Sequence, residues 1–144
     1  MKIAIGALNV SKEYYEELVK FIEKELKLTV SSKFVDENIV KVNKKINSLL
    51  ENKFVDLAVM IEPFGIASFM IGSKNKNVIC APACDELTAK MTKRHNNSNL
   101  LIIASAITGL EMAKQISKNF LTTPYDGGRH QVRVDMLKSL LEGE

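Results

Sequence analysis

Short apolar runs alternate along the chain with longer segments in which apolar residues recur every three or four positions. The runs are Lys2–Gly6, a weaker one near Leu28–Ser31, Val55–Ile61, Asn77–Ala81 and Leu100–Ala104. They are nearly continuous in apolar residues, which is typical of strands covered on both faces of a parallel sheet. The pattern therefore predicts five buried strands.

The segments between the runs have helical periodicity. The predicted helices run from a Ser11 cap to about Lys27, over Ile39–Leu50, over Ile66–Ser73, from an Asp85 cap toward Arg94, from Thr108 to about Phe120, and over Arg129–Leu141. Strict alternation of strand and helix implies βαβ units. We therefore predict an α/β fold, a three-layer α-β-α Rossmann-like domain over 1–144, with helices on both faces of a parallel sheet.

Three loops follow predicted strands at the end of the sheet where ligands bind in such folds. They are Ala7–Val10, Glu62–Gly65 and the Pro82–Asp85 region. Glu62 is the carboxylate among them that could serve as a general base, and it could equally be a solvated acid at a turn.

Composition narrows the classes of function. The net charge of +3 and the scattered aromatic residues lack the basic stripe or stacking platform of a nucleic-acid binder. No apolar stretch approaches the roughly 20 residues that span a bilayer, and the apolar start is too short for a signal peptide. Two cysteines without a disulfide framework fit a reducing compartment. We expect a cytoplasmic protein with neither nucleic-acid nor membrane partners.

Arg129 and Arg133 lie four residues apart at the start of a predicted helix, so they share one face. Two guanidinium groups side by side can clamp a phosphate dianion, and the preceding Gly127-Gly128 lets the backbone approach closely. The helix N-terminus adds partial positive charge. Spacing alone nevertheless favours an ordinary solvated basic face.

His95 lies at the end of the fourth predicted helix, next to Asn96. A histidine beside amides can exchange a proton with a bound sugar. Spacing alone favours a simpler interpretation, in which the helix dipole stabilises a cation at this terminus. His130 is predicted to point away from the face of the two arginines and to have a capping or surface role.

The two cysteines do not predict a metal site, because histidines at ligand spacing are missing. Cys80 falls in a predicted strand and is expected in the core. Cys84 lies near a helix start, where a thiol pKa can fall. We favour an inert, packed side chain for Cys84 as well.

Several motifs together carry a resemblance to a known family. They are Lys90-Met91-Thr92-Lys93-Arg94-His95-Asn96-Asn97-Ser98-Asn99, Thr108-Gly109, and Tyr125-Asp126-Gly127-Gly128-Arg129-His130-Gln131-Val132-Arg133-Val134. The chain resembles the ribose-5-phosphate isomerase B and galactose-6-phosphate isomerase superfamily, and within it the A-type subunits of the galactose-6-phosphate isomerases. The resemblance covers essentially the whole chain.

The resemblance implies an aldose–ketose isomerase that uses neither metal nor organic cofactor and has its active site between subunits. It implies that His95 opens the sugar ring and that Asn96 contacts the substrate. Arg129 and Arg133 would hold the phosphate. It also implies that the C-terminal helix lies at a subunit interface.

Departures from the family pattern are as informative as the matches. Where catalytic subunits have Cys-Gly-Thr-Gly, this chain has Glu62-Pro63-Phe64-Gly65, which lacks the thiol, one backbone donor and a hydroxyl. Where they have Asp-His-Ala-Gly, it has Leu8-Asn9-Val10-Ser11. Residues 62–65 are therefore predicted to be a degenerate half-site.

Three hypotheses follow from the sequence. The first is a subunit that supplies sugar-phosphate-binding and ring-opening residues to the cysteine-containing site of a B-type paralogous partner, with a homodimer possible in isolation. The second is a self-sufficient pentose or hexose phosphate isomerase with Glu62 as its base. The third is a sugar-phosphate binder without catalytic activity, or a purely structural partner.

Overall fold

The computed structural model describes residues 1–142, so the last two residues of the predicted domain lie outside it. The strands are β1 Ile3–Leu8, β2 Val30–Asp36, β3 Leu57–Glu62, β4 Cys80–Pro82 and β5 Leu100–Ala104. The helices are α1 Lys12–Lys24, α2 Ile39–Glu51, α3 Ile66–Gly72, α4 Glu86–Asn96, α5 Leu110–Thr122 and α6 Arg129–Ser139, with a 3₁₀ turn over Asn9–Ser11.

The five strands form one parallel sheet in the order β2-β1-β3-β5-β4. The chain winds outward in one direction from β1 and in the other from β3, so the order reverses between these two strands. Helices cover both faces, and the predicted Rossmann-like α/β class is confirmed. No helix among residues 1–142 combines the length and apolar character needed to cross a membrane.

The near-continuous apolar runs bury alternate residues in two separate cores. On β3, Val59 and Ile61 pack with α1 and α5, whereas Ala58 and Met60 pack with α2 on the opposite face. Because successive strand residues point to opposite faces, a strand covered on both sides needs apolar residues at every position. This explains why the sequence shows no alternation here.

The second strand differs from its prediction. It begins at Val30 and continues to Asp36, further along the chain than the predicted run near Leu28–Ser31. It is an edge strand that pairs with β1 alone, and most of its side chains keep access to solvent. Polar residues are tolerated on such a strand, which is why apolar continuity did not locate it.

The helix caps agree with the predictions in position but only partly in mechanism. Asp85 accepts hydrogen bonds from the Thr88 backbone N–H and hydroxyl at 2.7 and 2.6 Å, so it is the predicted side-chain cap of α4. Ser11 precedes α1 but makes no capping bond. Its Oγ lies 2.7 Å from Ser105 Oγ and joins the loop after β1 to the loop after β5.

Two sides of the sheet matter for function, and here they are named after the strand ends that form them, the carboxyl edge and the amino edge. At the carboxyl edge, where the strands end, lie the 3₁₀ turn, the loop 62–65 and the start of α5. At the amino edge, where the strands begin, α4 and α5 end and α6 begins, because both helices run antiparallel to the strands.

Candidate functional site

Two imidazole rings are stacked at the amino edge. The ring centroids of His95 and His130 are 4.3 Å apart, and the ring planes differ by 7°. Both side chains are half-buried. The stack brings the end of α4 into contact with the start of α6, so residues far apart in sequence form one surface.

The end of α4 places His95 and Asn96 at this surface. Asn97 adopts a left-handed conformation with φ 53°, and its backbone N–H bonds to the Thr92 carbonyl. Asparagine tolerates this conformation and commonly ends helices. The chain then turns through Ser98 into β5, which leaves His95 in the last helical turn and Asn96 exposed.

The chain before α6 is tied to α4 by an ion pair. Arg94 Nε donates to the Asp126 carboxylate at 3.0 and 3.2 Å, and Arg94 Nη2 lies 2.9 Å from Asp126 Oδ2. The Asp126 backbone N–H also donates to the Arg94 carbonyl at 3.0 Å. The hydrogen bond from Arg94 is the main reason why the pKa of Asp126 lies below its ordinary value, and the arginine charge adds to it.

The start of α6 presents the two arginines to solvent. Gly127 and Gly128 have φ of 64° and 55°, values that favour glycine, and they turn the chain into the helix. Arg129 is the first residue of α6 and Arg133 lies one turn later, so both guanidinium groups lie along one face. Both are exposed beside the histidine stack.

Positive charge dominates the electrostatics of this surface. The pKa of His130 lies below its ordinary value, chiefly because of desolvation and then because of the charges of His95, Arg129 and Arg133, while Asp126 acts in the opposite direction. This surface should therefore favour the binding of an anion.

The same surface contains three potential metal ligands. One ligand atom each from His95, Asp126 and His130 lies within 4.8 Å of the other two. The Asp126 oxygens, however, already accept hydrogen bonds from Arg94. With Arg129 and Arg133 at the same helix terminus, the charges favour an anion over a divalent cation, and we assign no metal to this surface.

The carboxyl edge has a different chemistry. Glu62 ends β3, is only 5% exposed, and accepts a hydrogen bond at 2.8 Å from the Ser68 backbone N–H in α3. The Ser68 hydroxyl in turn accepts a bond from Asn43 at 3.0 Å. The carboxylate thus satisfies a backbone N–H of the helix that follows it, and its burial leaves a substrate little access to it.

The rest of the predicted half-site is apolar. Pro63 has no N–H to donate, and Phe64 is 65% exposed to solvent. Gly65 has φ 82°, and an added Cβ would approach Ile102 to 3.2 Å, which explains why glycine is kept there. Val10, on the turn after β1, is also exposed. This edge therefore offers few groups that could stabilise an oxyanion.

Within a single chain, the residues of the amino edge lie far from those of the carboxyl edge. Glu62 pairs with Ala104 at the end of β5, whereas the chain segment after His95 enters β5 at Leu100. Four residue steps of roughly 3.3 Å put the two edges at least about 13 Å apart. Glu62 and His95 therefore cannot contact the same sugar carbon in a single chain.

The cysteines are only partly as predicted. Cys80 is half-buried in β4, and burial raises the pKa of its thiol to about 11, which agrees with an inert side chain. Cys84 is exposed, so the expectation of a packed side chain is wrong. It follows an edge strand of only three residues, where the chain is already leaving the sheet.

The sequence of the chain matches the model of the family described as Ribose/Galactose Isomerase over residues 3–137. This match spans almost the whole length of the chain. The chain belongs to the ribose/galactose isomerase family.

Two relatives of the chain are both named as LacA subunits of a galactose-6-phosphate isomerase. The galactose-6-phosphate isomerase subunit LacA of Clostridium acetobutylicum is 41% identical over 142 residues, which cover 98% of this chain and all of the relative. The subunit LacA 1 of Streptococcus pyogenes serotype M3 is 46% identical over 84 residues, or 58% of this chain. The chain thus matches about 60% of the length of the streptococcal relative.

Solved structures of ribose/galactose isomerases share the fold. The type B ribose 5-phosphate isomerase of Trypanosoma cruzi superposes with a TM-score of 0.93 over the full length of both chains, at 22% identity. That of Thermotoga maritima gives a TM-score of 0.84 at 23% identity, over 96% of this chain and 97% of the other. At this identity the likeness establishes the fold alone.

Sequence reasoning missed part of the amino-edge surface. His130 stacks on His95 and is therefore not the simple surface or capping residue that was predicted. Asp126 was not singled out, although it directly precedes the glycine pair. Periodicity within one helix cannot detect either contact, because both depend on how α4 and α6 meet.

Proposed function

We propose that this chain is the A-type subunit of a hetero-oligomeric galactose-6-phosphate isomerase. It converts galactose 6-phosphate to tagatose 6-phosphate together with a paralogous B-type subunit that carries a cysteine base. The observation that supports this most strongly is the separation of the two edges: Arg129, Arg133 and His95 lie at the amino edge, whereas residues 62–65, which stand where catalytic subunits carry the cysteine, lie at the carboxyl edge. A second subunit is needed to bring the two together.

Four residues of the amino-edge surface bind or act on the substrate in this proposal. Arg129 and Arg133 hold the phosphate dianion with charged hydrogen bonds, helped by the partial positive charge of the α6 N-terminus. Asn96, exposed next to His95 at the end of α4, contacts the sugar hydroxyls. His95 transfers the proton from the C1 hydroxyl to the ring oxygen as the C1–O5 bond breaks, which produces the open-chain aldehyde.

The next step of the reaction moves a proton from C2 to C1. The partner's thiolate removes the proton from C2, and the electron pair moves to form the enediolate with the charge on the former aldehyde oxygen. The partner's thiol returns the proton to C1, while the proton on O2 passes to O1 and the C2–O2 double bond of the ketose forms. Fixing the phosphate holds C1 and C2 against the base, so the binding energy of a remote group lowers the barrier.

The carboxyl edge of this chain is a degenerate half-site in this proposal. Glu62 serves as a structural acceptor for Ser68 N–H, and Pro63 and Phe64 replace donors that an enediolate would need. The alternative of a self-sufficient enzyme with Glu62 as base would require Glu62 to act on a substrate held at the opposite edge of a second copy.

A reconstitution experiment tests the proposal. The conversion of galactose 6-phosphate is measured for the chain alone, for a cysteine-bearing paralogous subunit alone and for the mixture. We expect substantial turnover only in the mixture. Arg129→Ala should lower kcat/KM at least tenfold, since each charged hydrogen bond contributes about 1.5–3 kcal/mol. Glu62→Gln, which keeps an acceptor for Ser68, should leave the activity of the mixture unchanged.

Three outcomes would contradict the proposal. Turnover by the chain alone that disappears in Glu62→Gln would establish the self-sufficient isomerase instead. Full activity of Arg129→Ala in the mixture would remove the phosphate clamp. If no mixture is active but inorganic phosphate raises the melting temperature of the lone chain, a non-catalytic sugar-phosphate binder is the better description.

A further inference from the structure

The helix that carries both arginines is weakly attached to the rest of the molecule. Val134 is the one residue of α6 that is fully buried, and the helix otherwise presents exposed or half-buried side chains. The segment 123–128 that leads into it includes Gly127 and Gly128, which have wide conformational freedom. The position of the arginines relative to His95 must therefore be fixed by contacts from outside α6.

The contacts between Arg94 and Asp126 meet this requirement. Arg94 immediately precedes His95 on α4, and Asp126 stands three residues before Arg129. The ion pair uses both carboxylate oxygens and two guanidinium nitrogens, and a backbone hydrogen bond joins the same two residues. Such a two-point contact fixes orientation as well as distance.

Asp126 also lies against the histidine stack. Its carboxylate is within 4.8 Å of a ring nitrogen of both His95 and His130. The charged groups that act on Asp126 are the guanidinium of Arg94 and the two imidazoles, and Arg129 and Arg133 of α6 act on His130 beside it. The negative charge of Asp126 thus offsets part of the mutual repulsion of the cations that gather where the two helices meet.

We propose that Arg94 and Asp126 are positioning residues, whose ion pair holds the start of α6 against the end of α4 so that the arginine clamp and His95 face one ligand. The proposal rests on the function proposed above for the clamp. Both side chains keep about a third of their surface exposed, at 41% and 30%, so the pair adds little to overall stability. Its effect is geometric, because a displacement of about 1 Å can cost a hundredfold in rate.

Variants that remove the charges test the pair, with a matched ion pair as control. Asp126→Asn and Arg94→Gln remove the charges and leave the backbone hydrogen bond in place. The control is Glu23→Gln, which breaks the Lys33–Glu23 pair, a contact of 2.6 Å with exposures of 42% and 37% at a distant part of the surface. All three variants should melt close to the wild-type temperature.

The activity of the reconstituted complex should separate the variants from the control. Asp126→Asn and Arg94→Gln should each lower kcat/KM by roughly tenfold to a hundredfold. The double variant should lose no more than either single one, because the two residues act as a unit. Glu23→Gln should match wild type. Additive losses, or wild-type kcat/KM in Asp126→Asn, would overturn the proposal.

A measurement on the lone full-length chain keeps the proposal testable if the complex is inactive. In the stacked arrangement each imidazole shifts the proton resonances of the other, and these shifts should collapse in Asp126→Asn but not in Glu23→Gln. Unchanged histidine resonances in Asp126→Asn would show that the pair does not position α6. An inactive Arg129→Ala complex with normal Asp126→Asn would leave the proposed function intact and remove only this inference.

Discussion

His130 has surroundings that couple its protonation to the binding of an anion. Desolvation and then the charges of His95, Arg129 and Arg133 keep its pKa below the ordinary value, while Asp126 acts in the opposite direction. A dianion placed on the arginines would add negative charge next to the imidazole and raise that pKa. Binding should therefore be accompanied by proton uptake.

The sign of the resulting pH dependence can be stated. The favourable contact with protonated His130 is fully present below the pKa of the free protein and is lost as the pH rises through the higher pKa of the complex. Sulfate is the suitable probe, because its own charge stays constant over this range. We expect its affinity, measured by calorimetry, to fall as the pH is raised between about 5 and 8.

The variant His130→Asn provides the control for this prediction. Its sulfate affinity should depend much less on pH than that of the wild type, while Arg129→Ala should bind sulfate weakly at every pH. An unchanged pH dependence in His130→Asn would mean that His130 is not the group that takes up the proton.

At the level of the helices, Gly128 decides where α6 can begin. Its φ of 55° and ψ of −127° lie in a region that is essentially open to glycine alone. An alanine there should cost about 1–3 kcal/mol of strain, which is large for a helix held by so few buried residues. We expect Gly128→Ala to loosen the start of α6 and to weaken sulfate binding, with faster amide exchange over residues 129–135.

Gly109→Ala is the matched control for that change. Gly109 precedes α5 with φ −62°, and a Cβ at that position would meet nothing within 4 Å. It should leave both amide exchange in α6 and sulfate affinity as they are in the wild type. Equal exchange rates in the two variants would show that the conformation of Gly128 does not control the docking of α6.

The helices and strands were predictable wherever burial was uniform. β3 and β5 were found because both faces are covered, and α4 because Asp85 caps it. β2 was displaced, because an edge strand needs no apolar continuity. The pattern of apolar residues thus predicts the strands and helices that are buried uniformly along their length.

The candidate site was predictable only in part, for a related reason. Spacing alone favoured simple solvated roles for His95, Arg129 and Arg133, and these residues gained importance only through the family motifs. The stack with His130 and the ion pair with Asp126 remained hidden. Both join residues more than thirty positions apart, and no periodicity within one element encodes such a contact.

On the scale of the whole molecule, an apolar surface adjoins the positively charged one. A cavity of about 870 Å³ lies between α3, β4, α4 and α6, and His95 and Asn96 are at its border. Its apolar lining residues include Leu87, Met91, Val134, Leu137 and Leu140. Large apolar side chains that remain exposed beside a binding surface are typical of protein–protein contacts. This is the face that a second subunit would cover if the active site lies between chains.

Leu137 offers a direct test of this arrangement. It is 59% exposed in the single chain, so Leu137→Asp should cost little folding stability. In a closed interface the new carboxylate would be buried without a partner, which should prevent assembly. We expect sedimentation and size exclusion to show that the variant no longer associates with the cysteine-bearing subunit or with itself.

Val40→Asp is the corresponding change on another face, since Val40 is 46% exposed at the start of α2. It should assemble like the wild type. A Leu137→Asp chain that is folded by circular dichroism but monomeric would also be expected to lose isomerase activity in the mixture, with sulfate binding to the lone chain retained. Normal assembly of Leu137→Asp would place the subunit contact elsewhere and would leave the apolar cavity outside the interface.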